Sequence, residues 1–103
     1  MNCRDVRRGR WAFPQAAQAL GLGALLAVLL TFVHAETSTG ALSDAAALAA
    51  IARRFGALTL MDCVTSLGGV PVRLDEWGID AAYSGSQKCL SCTPGLSPVS
   101  FSE

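Results

Sequence analysis

A lysine and an upstream aspartate are the residues of this chain whose types and positions suggest covalent chemistry. Lys88 lies in the small polar stretch YSGSQKCL, and Asp62 ends the apolar stretch ALTLMD. A lysine amine is a useful covalent catalyst when it forms a Schiff base with a carbonyl, and pyridoxal phosphate is the common carbonyl cofactor. A carboxylate beside the ring nitrogen of that cofactor keeps the nitrogen protonated. The alternative for this pair is a solvated lysine and an aspartate that caps a turn.

The segment before Asp62 has the local signals of a helix. Ser43 and Asp44 provide an N-cap and a first turn, the helix is predicted over about 45–55, and Gly56 is its natural stop. Arg53 is predicted off the apolar face, near the C-terminus. The apolar side chains that share one face by helical spacing are Leu48, Ile51, Ala52 and Phe55.

Strands are predicted on both sides of the lysine. The stretches ALTLMD, IDAAYS and VSFS have strand character, and RLDEWG predicts a short helical or irregular segment. Strand, helix and strand joined by short loops favour a right-handed crossover within a mostly parallel sheet covered by helices. Such sheets bind ligands beyond the carboxyl ends of their strands. Asp62 and the loop that bears Lys88 both follow strands, so the two side chains are expected to face one site.

The N-terminal third has two interpretations. A basic start is followed by the apolar run LGLGALLAVLLTFV, over 20–33, and then by Ala35, which is typical of an exported protein cleaved after that alanine. The end of the same run can equally be a strand buried on both faces, because parallel strands covered by helices read as continuous apolar runs. The run is too short for a comfortable membrane span.

Charge and cysteine content argue against several other classes. The eight basic residues balance the eight acidic ones, which predicts neither a nucleic-acid nor a membrane partner. Cys89 and Cys92 form a C-x-x-C pair, but no second pair and only one histidine accompany them. No metal site is therefore predicted, and reduced thiols in a cytoplasmic protein are expected, with export from the signal-like segment 20–35 as the alternative.

The segment over about 28–103 resembles the class V aminotransferases, which are fold-type I enzymes dependent on pyridoxal 5'-phosphate. The resemblance is carried by FVHAETSTG, LMDCVTSLGGVPV, WGIDAAYSGSQKCL and TPGLSPVSFS, which occur in the family's order. It is most similar to the alanine-glyoxylate and serine-pyruvate (serine-glyoxylate) branch. The resemblance implies an α/β fold, namely part of the α/β/α sandwich of the large domain, with residues 1–27 as an unmatched basic and apolar segment.

The resemblance also implies roles for individual residues. Lys88 matches the catalytic lysine that holds the cofactor and moves the α-proton, and Asp62 matches the carboxylate paired with the ring nitrogen. Val64 matches the apolar residue packed on the ring, Thr37 the hydroxyl near the phenolic oxygen, and Gln87 a side chain that helps to hold the phosphate. The ordinary alternatives are core packing for Val64, capping for Thr37 and solvation for Gln87.

The implied reaction moves an amino group from a small amino acid, alanine or serine, to glyoxylate or pyruvate. The implied partners are amino acid and 2-oxo acid substrates and, for the full-length enzyme, a second subunit. The family's phosphate-binding glycines and substrate-gripping arginine find no match here. We therefore expect a fragment truncated at both ends, with a non-catalytic remnant, or a small exported protein, as the alternative functions.

Overall fold

The computed structural model describes residues 29–103. The expectations about the basic N-terminus, the greater part of the apolar run and the boundary at residue 27 fall outside the described residues. Only the last part of the run, from Leu29, belongs to the described fold.

The described chain forms an α/β unit built on a four-stranded sheet. Its strands lie in the order β1-β4-β5-β6; β1, β4 and β5 are parallel, and β6 is antiparallel to β5. A short antiparallel pair, β2 with β3, stands beside this sheet. This architecture confirms the mostly parallel α/β fold. The elements are β1 Leu29–Val33, β2 Ala35–Glu36, β3 Ala41–Leu42, α1 Ala45–Arg54, β4 Leu58–Asp62, α2 Leu74–Trp77, β5 Ala81–Tyr83 and β6 Val99–Phe101.

The ends of α1 follow from local sequence. The Asp44 side chain accepts a hydrogen bond from the Ala47 backbone nitrogen at 3.0 Å, which satisfies one of the free N–H groups of the first turn. Gly56 ends the helix with a φ of +67°, a left-handed conformation that glycine adopts without steric cost. The predicted cap and stop are both confirmed.

The buried face of α1 is not the predicted one. Ile51 and Phe55 are about half exposed, and of the four side chains predicted to share the apolar face only Ala52 is fully buried. The helix instead packs through Ala45, Ala49 and Ala52. Small side chains let the helix approach the sheet closely, so the close contact selects alanines over the larger residues.

The sheet is covered on one face. Leu30 and Phe32 of β1 share that face with Thr59 and Met61 of β4, and Ala82 of β5 lies beside them. The opposite face, which we call the open face, is covered by no helix within residues 29–103. The expectation that β1 is buried on both faces is therefore wrong for the described fold, because α1 and α2 both pack on the same side. The open face carries Leu29, Thr31, Val33, Leu58, Leu60, Asp62, Ala81, Tyr83, Val99 and Phe101.

Two polar contacts fix β5 and α2 against the rest of the unit. The Asp80 carboxylate accepts hydrogen bonds from the backbone nitrogen and hydroxyl of Thr59, at 2.8 and 2.7 Å. Arg53 donates to the carbonyls of Trp77 and Gly78 at the end of α2. No helix within the described range has the length and apolar character needed to cross a bilayer.

Candidate functional site

Three parallel strands end in one row. Val33, Asp62 and Tyr83 are the last residues of β1, β4 and β5, and they are register partners across the sheet. Each strand is followed by a loop at the same edge: the β2–β3 hairpin, the segment 63–73 and the segment 84–98. The predicted location of Asp62 and of the lysine loop, at the carboxyl ends of parallel strands, is confirmed.

The three loops border an open cleft of about 490 Å³. Lys88 and Thr37 both line it, so the structure brings these two predicted residues together. Thr65 lines the same cleft, and its hydroxyl donates to the Ala35 carbonyl, which ties the loop after β4 to the hairpin. The remaining lining residues are Ala35, Glu36, Gly40, Ala41, Leu42, Val70 and Cys89.

The loop that carries Lys88 is held by two buried serines. Ser86 donates through its hydroxyl to the Thr93 carbonyl at 2.6 Å, and its own carbonyl accepts from the Cys92 nitrogen at 3.0 Å. Ser84 donates to the Cys63 carbonyl at 3.2 Å, which fastens the start of the loop to the end of β4. The loop is therefore pinned before and after the lysine. No role was predicted for these serines from the sequence; the run of small polar residues before Lys88 was the available signal for a positioning role.

Lys88 itself is exposed, and within residues 29–103 its amine makes no hydrogen bond or ion pair. Its backbone carbonyl accepts from the Ser91 nitrogen at 2.9 Å, which closes a turn directly after the lysine. The next residue, Cys89, lines the same cleft, and its thiol donates to the Thr65 carbonyl at 3.3 Å. Lys88 thus lines the cleft from a fixed backbone, and no partner in the described part of the chain competes for its amine.

Thr37 begins the four-residue turn of the β2–β3 hairpin. Gly40 donates to the Glu36 carbonyl at 2.8 Å to close this turn, and its φ of +69° favours glycine. Glu36 accepts bonds from the backbone nitrogen and hydroxyl of Ser38, and these bonds lower the pKa of the Glu36 carboxyl. The turn therefore holds Thr37 in the wall of the cleft.

Asp62 lies outside this cleft. Strand alternation turns its side chain to the open face, where it lines a second cavity of about 400 Å³. One carboxylate oxygen, Oδ1, accepts from the Val64 backbone nitrogen at 2.9 Å, and the other, Oδ2, accepts from the Tyr83 hydroxyl at 2.7 Å. The structure therefore does not bring Asp62 and Lys88 into one cavity. The other lining residues of the second cavity are Thr31, Phe32, Val33, Leu60 and Tyr83.

The two remaining predicted residues line neither cavity. Val64 is half-buried and is connected to Asp62 only through its backbone nitrogen. Gln87 is exposed, and its side-chain oxygen would lie 2.6 Å from a Cβ placed on Gly85. A side chain at position 85 would therefore displace Gln87, the neighbour of the lysine.

The negative charge of Asp62 contributes to raised pKa values in two neighbouring groups. The hydrogen bond to the Asp62 carboxylate raises the pKa of the Tyr83 hydroxyl, because the bond and the negative charge both favour the protonated form. Burial, reinforced by the Asp62 charge, raises the pKa of the Cys63 thiol. Both groups therefore remain protonated, and Tyr83 is a permanent donor, at physiological pH.

His34 follows β1 but belongs to the core. It is buried, its ring packs edge-on against Trp77 with centroids 5.3 Å apart, and its Nδ1 has no hydrogen-bond partner in the described residues. Burial lowers the pKa of this histidine. The described part of the chain has no group of three or more histidine, cysteine or acidic side chains arranged to hold a metal ion.

Comparisons with known proteins agree on one family. The family model described as aminotransferase class-V matches residues 18–103. The chain is 46% identical over 83 residues to the alanine-glyoxylate aminotransferase of Rattus norvegicus, a match that covers 81% of this chain and 20% of the relative. It is 43% identical over 75 residues to the (S)-ureidoglycine-glyoxylate transaminase of Bacillus subtilis, covering 73% of this chain and 18% of the relative.

A solved structure gives the same result for the fold. The crystal structure of an alanine-glyoxylate aminotransferase from Nostoc superposes with a TM-score of 0.69 at 56% identity, over 73% of this chain and 20% of that one. This chain therefore spans about a fifth of the length of the relatives that it matches.

Proposed function

The chain belongs to the class V aminotransferase family, and we propose that it provides the cofactor-anchoring part of a transaminase. Aminotransferases of this family depend on pyridoxal phosphate. When bound, this cofactor supplies the aldehyde that a lysine amine can attack and an electron sink for bonds at the amino acid's α-carbon. The proposal assigns to this chain the residues that hold and orient that group.

The donor set and the cleft suit this cofactor. Small-molecule sites enclose about 300–1000 Å³, and the cleft of about 490 Å³ falls within that range. Lys88, whose amine has no partner within residues 29–103, and Thr37 both line it; an amine and a hydroxyl are the groups expected to meet an aldehyde and a phenolic oxygen. The carboxylate of Asp62 lies in the second cavity, at the same edge of the sheet.

Lys88 carries the proposed chemistry. Its amine has no partner in the described residues and stands on a loop that Ser84 and Ser86 hold, so it can bond to the cofactor without first losing an ion pair. The same amine, released from that bond, is the group that accepts and returns a proton at the substrate α-carbon. The observation that supports this proposal most is the joint presence of Lys88 and Thr37 in one cleft of an aminotransferase-family chain.

The other residues hold the group in place. We assign Asp62 to the ring nitrogen, where a carboxylate keeps the nitrogen protonated, and Thr37 to the phenolic oxygen. By the same family match, Val64 would pack against one face of the ring and Gln87 would help to hold the phosphate. These roles rest on the family match, and they require the Asp62 carboxylate and the Lys88 amine to act on opposite ends of one bound molecule.

The proposed substrates are small. Two similar relatives are named for glyoxylate as acceptor, and one of them is named for alanine as donor. We propose that the amino group passes from alanine or serine to glyoxylate or pyruvate, in a full-length enzyme that works as a homodimer in the cytoplasm.

A half-reaction tests this function. The chain is loaded with pyridoxal phosphate, freed of excess cofactor and given alanine, and the pyruvate released is measured; labelled glyoxylate is then added and labelled glycine is measured. The expected result is pyruvate and then glycine above the level that free cofactor gives, and neither product above that level with Lys88→Arg, which keeps a positive charge but cannot form the Schiff base. A loaded chain that releases no pyruvate from alanine or hydroxypyruvate from serine would contradict transamination and favour the non-catalytic remnant.

A further inference from the structure

Tyr83 is a residue to which sequence reasoning assigned no role. It is the last residue of β5 and the register partner of Asp62, so both side chains leave the sheet on the open face. Cα atoms of paired strands are about 4.8 Å apart, which brings side chains of one face into contact. The register of β4 and β5 therefore brings the Tyr83 hydroxyl next to the Asp62 carboxylate.

With this pairing, each oxygen of the Asp62 carboxylate accepts one hydrogen bond. The Val64 backbone nitrogen, two residues away along the chain, holds Oδ1, and Tyr83 holds Oδ2 at 2.7 Å from the neighbouring strand. Tyr83 is the only side chain within residues 29–103 that donates to Asp62. A hydrogen bond to an ionised acceptor is about twice as strong as a neutral one, so this contact is well suited to fix an orientation.

The exposure of Tyr83 indicates that its main contribution is the hydrogen bond of the hydroxyl and not core packing by the ring. The side chain is 38% exposed, so it fills no closed core position. Its pKa is raised by the Asp62 carboxylate, and the hydroxyl therefore keeps its proton throughout the physiological range. A phenylalanine would serve the packing equally well but would leave Oδ2 without its donor.

We infer that Tyr83 is a positioning residue, whose hydroxyl orients the Asp62 carboxylate toward the ring nitrogen of the bound cofactor. The inference rests on the proposed function, because it takes Asp62 to be the partner of that nitrogen. Tyr83 acts through Asp62 and touches neither the substrate nor the reacting atoms. Its removal weakens cofactor binding without removing the covalent anchor, Lys88.

Tyr83 is the only tyrosine of the chain, which makes the test direct. A chain made with isotopically labelled tyrosine gives one ring signal by NMR, and its pH titration reports the Tyr83 hydroxyl alone. In the free chain the midpoint is expected above the ordinary value of 10.0, and in Asp62→Asn it is expected to return toward that value. An ordinary midpoint in the free chain, or a raised one that Asp62→Asn leaves unchanged, overturns the inference.

The same titration with pyridoxal phosphate bound distinguishes a failure of this inference from a failure of the proposed function. Loading with pyridoxal phosphate pairs the Asp62 charge with the protonated ring, so the Tyr83 midpoint is expected to fall toward its ordinary value. A chain that binds the cofactor through Lys88 while the Tyr83 midpoint does not move leaves the proposed function standing and overturns the positioning role. A chain that forms no Lys88 adduct at all overturns the proposed function instead, and the positioning role with it.

Tyr83→Phe completes the test. Its affinity for pyridoxal phosphate is expected to fall roughly threefold to tenfold, which is the range for one lost hydrogen bond. Thr31→Val is the matched control, because Thr31 lines the same cavity and the change removes a hydroxyl that makes no bond to Asp62. Equal affinities in the two variants contradict the inference; circular dichroism confirms that both are folded before they are compared.

Discussion

Asp80 connects two neighbouring strands of the described fold through its carboxylate. It accepts two bonds from Thr59, and its backbone nitrogen donates back to the Thr59 hydroxyl at 2.9 Å. The Thr59 hydroxyl, followed by the Thr59 backbone nitrogen, lowers the pKa of the Asp80 carboxyl below its ordinary value of 3.8. This reciprocal contact ties the start of β5 to the start of β4.

The lowered pKa predicts an acid-labile contact. A carboxyl with a depressed folded pKa contributes stability above its unfolded pKa and loses that contribution as pH falls through the folded pKa. Acidification from neutrality to below pH 3.8 is therefore expected to reduce the melting temperature of the wild type more than that of Asp80→Asn. Thermal unfolding followed by circular dichroism measures this, with Asp75→Asn, an exposed carboxylate, as control. Equal losses in wild type and Asp80→Asn would show that the contact carries no charge-dependent stability.

Residue-level patterns predicted where Asp62 and Lys88 lie along the fold, but not which cavity each side chain lines. The lysine, the aspartate and the strand ends that carry them follow from local sequence. The separation of Asp62 from the cleft does not, because it depends on the face to which one position of β4 points. Met61 faces the helices, so strand alternation turns Asp62 away. Its partner Tyr83 is set by cross-strand register, a non-local property that no local pattern contains.

At the scale of elements, α1 is a helix whose start depends on one side chain. Asp44 accepts from the Ala47 nitrogen, so Asp44→Ala is expected to destabilise the chain by about 1 kcal/mol, a typical value for a lost N-cap. Asp44→Ser, which keeps a capping oxygen, is expected to recover most of this loss. Denaturant unfolding measures the free energy of unfolding of both variants, with one common value for its dependence on denaturant concentration. An alanine variant as stable as the serine variant would mean that the cap contributes nothing.

Two loops of the cleft are in close contact through a glycine. A Cβ on Gly69 would lie 2.7 Å from the Cys89 sulfur, which is too close for either atom to stay in place. Gly69→Ala is therefore expected to shift the residue next to Lys88 and to weaken binding of pyridoxal phosphate by roughly threefold to tenfold, a cost at the low end of the range for overpacking. Equilibrium dialysis measures the affinity.

The double variant Gly69→Ala, Cys89→Ala provides the matched control. Removing the sulfur restores the space, so the double variant is expected to bind the cofactor nearly as well as Cys89→Ala alone. A double variant that binds as weakly as Gly69→Ala would show that the contact between the two loops is not the cause.

The elements themselves were largely predictable. A cap at Asp44, a stop at Gly56 and apolar stretches near β4, β5 and β6 are local signals, and they gave the right elements in the right order. Burial was less predictable, because the size of a side chain does not decide which helix face packs. Close approach to the sheet favoured the alanines of α1 and left Ile51 and Phe55 about half exposed.

At the scale of the whole described fold, the open face presents several large apolar side chains to solvent. Phe101 is 75% exposed and Leu58 is 56% exposed, and both lie on this uncovered side of the sheet. Contiguous apolar surface of this kind lowers solubility. The chain alone is therefore expected to aggregate at modest concentration.

A substitution on the open face tests this expectation. Phe101→Ser is expected to raise the concentration at which light scattering appears severalfold, because it removes the most exposed large side chain of the sheet. Leu96→Ser is the control, since Leu96 is 70% exposed but lies in the loop before β6. Equal effects of the two changes would mean that exposed apolar area in general, and not the open face, limits solubility.

The central claim is that Lys88 anchors pyridoxal phosphate, and the chain allows an unusually direct test because Lys88 is its only lysine. The measurement is borohydride reduction of the chain with the cofactor, followed by peptide mass spectrometry. The account predicts a pyridoxyl group on Lys88 in high yield at low cofactor concentration, well above the yield on the N-terminal amine, and its loss with Lys88→Arg. Labelling of the N-terminal amine alone, or equal labelling of both amines, would contradict it.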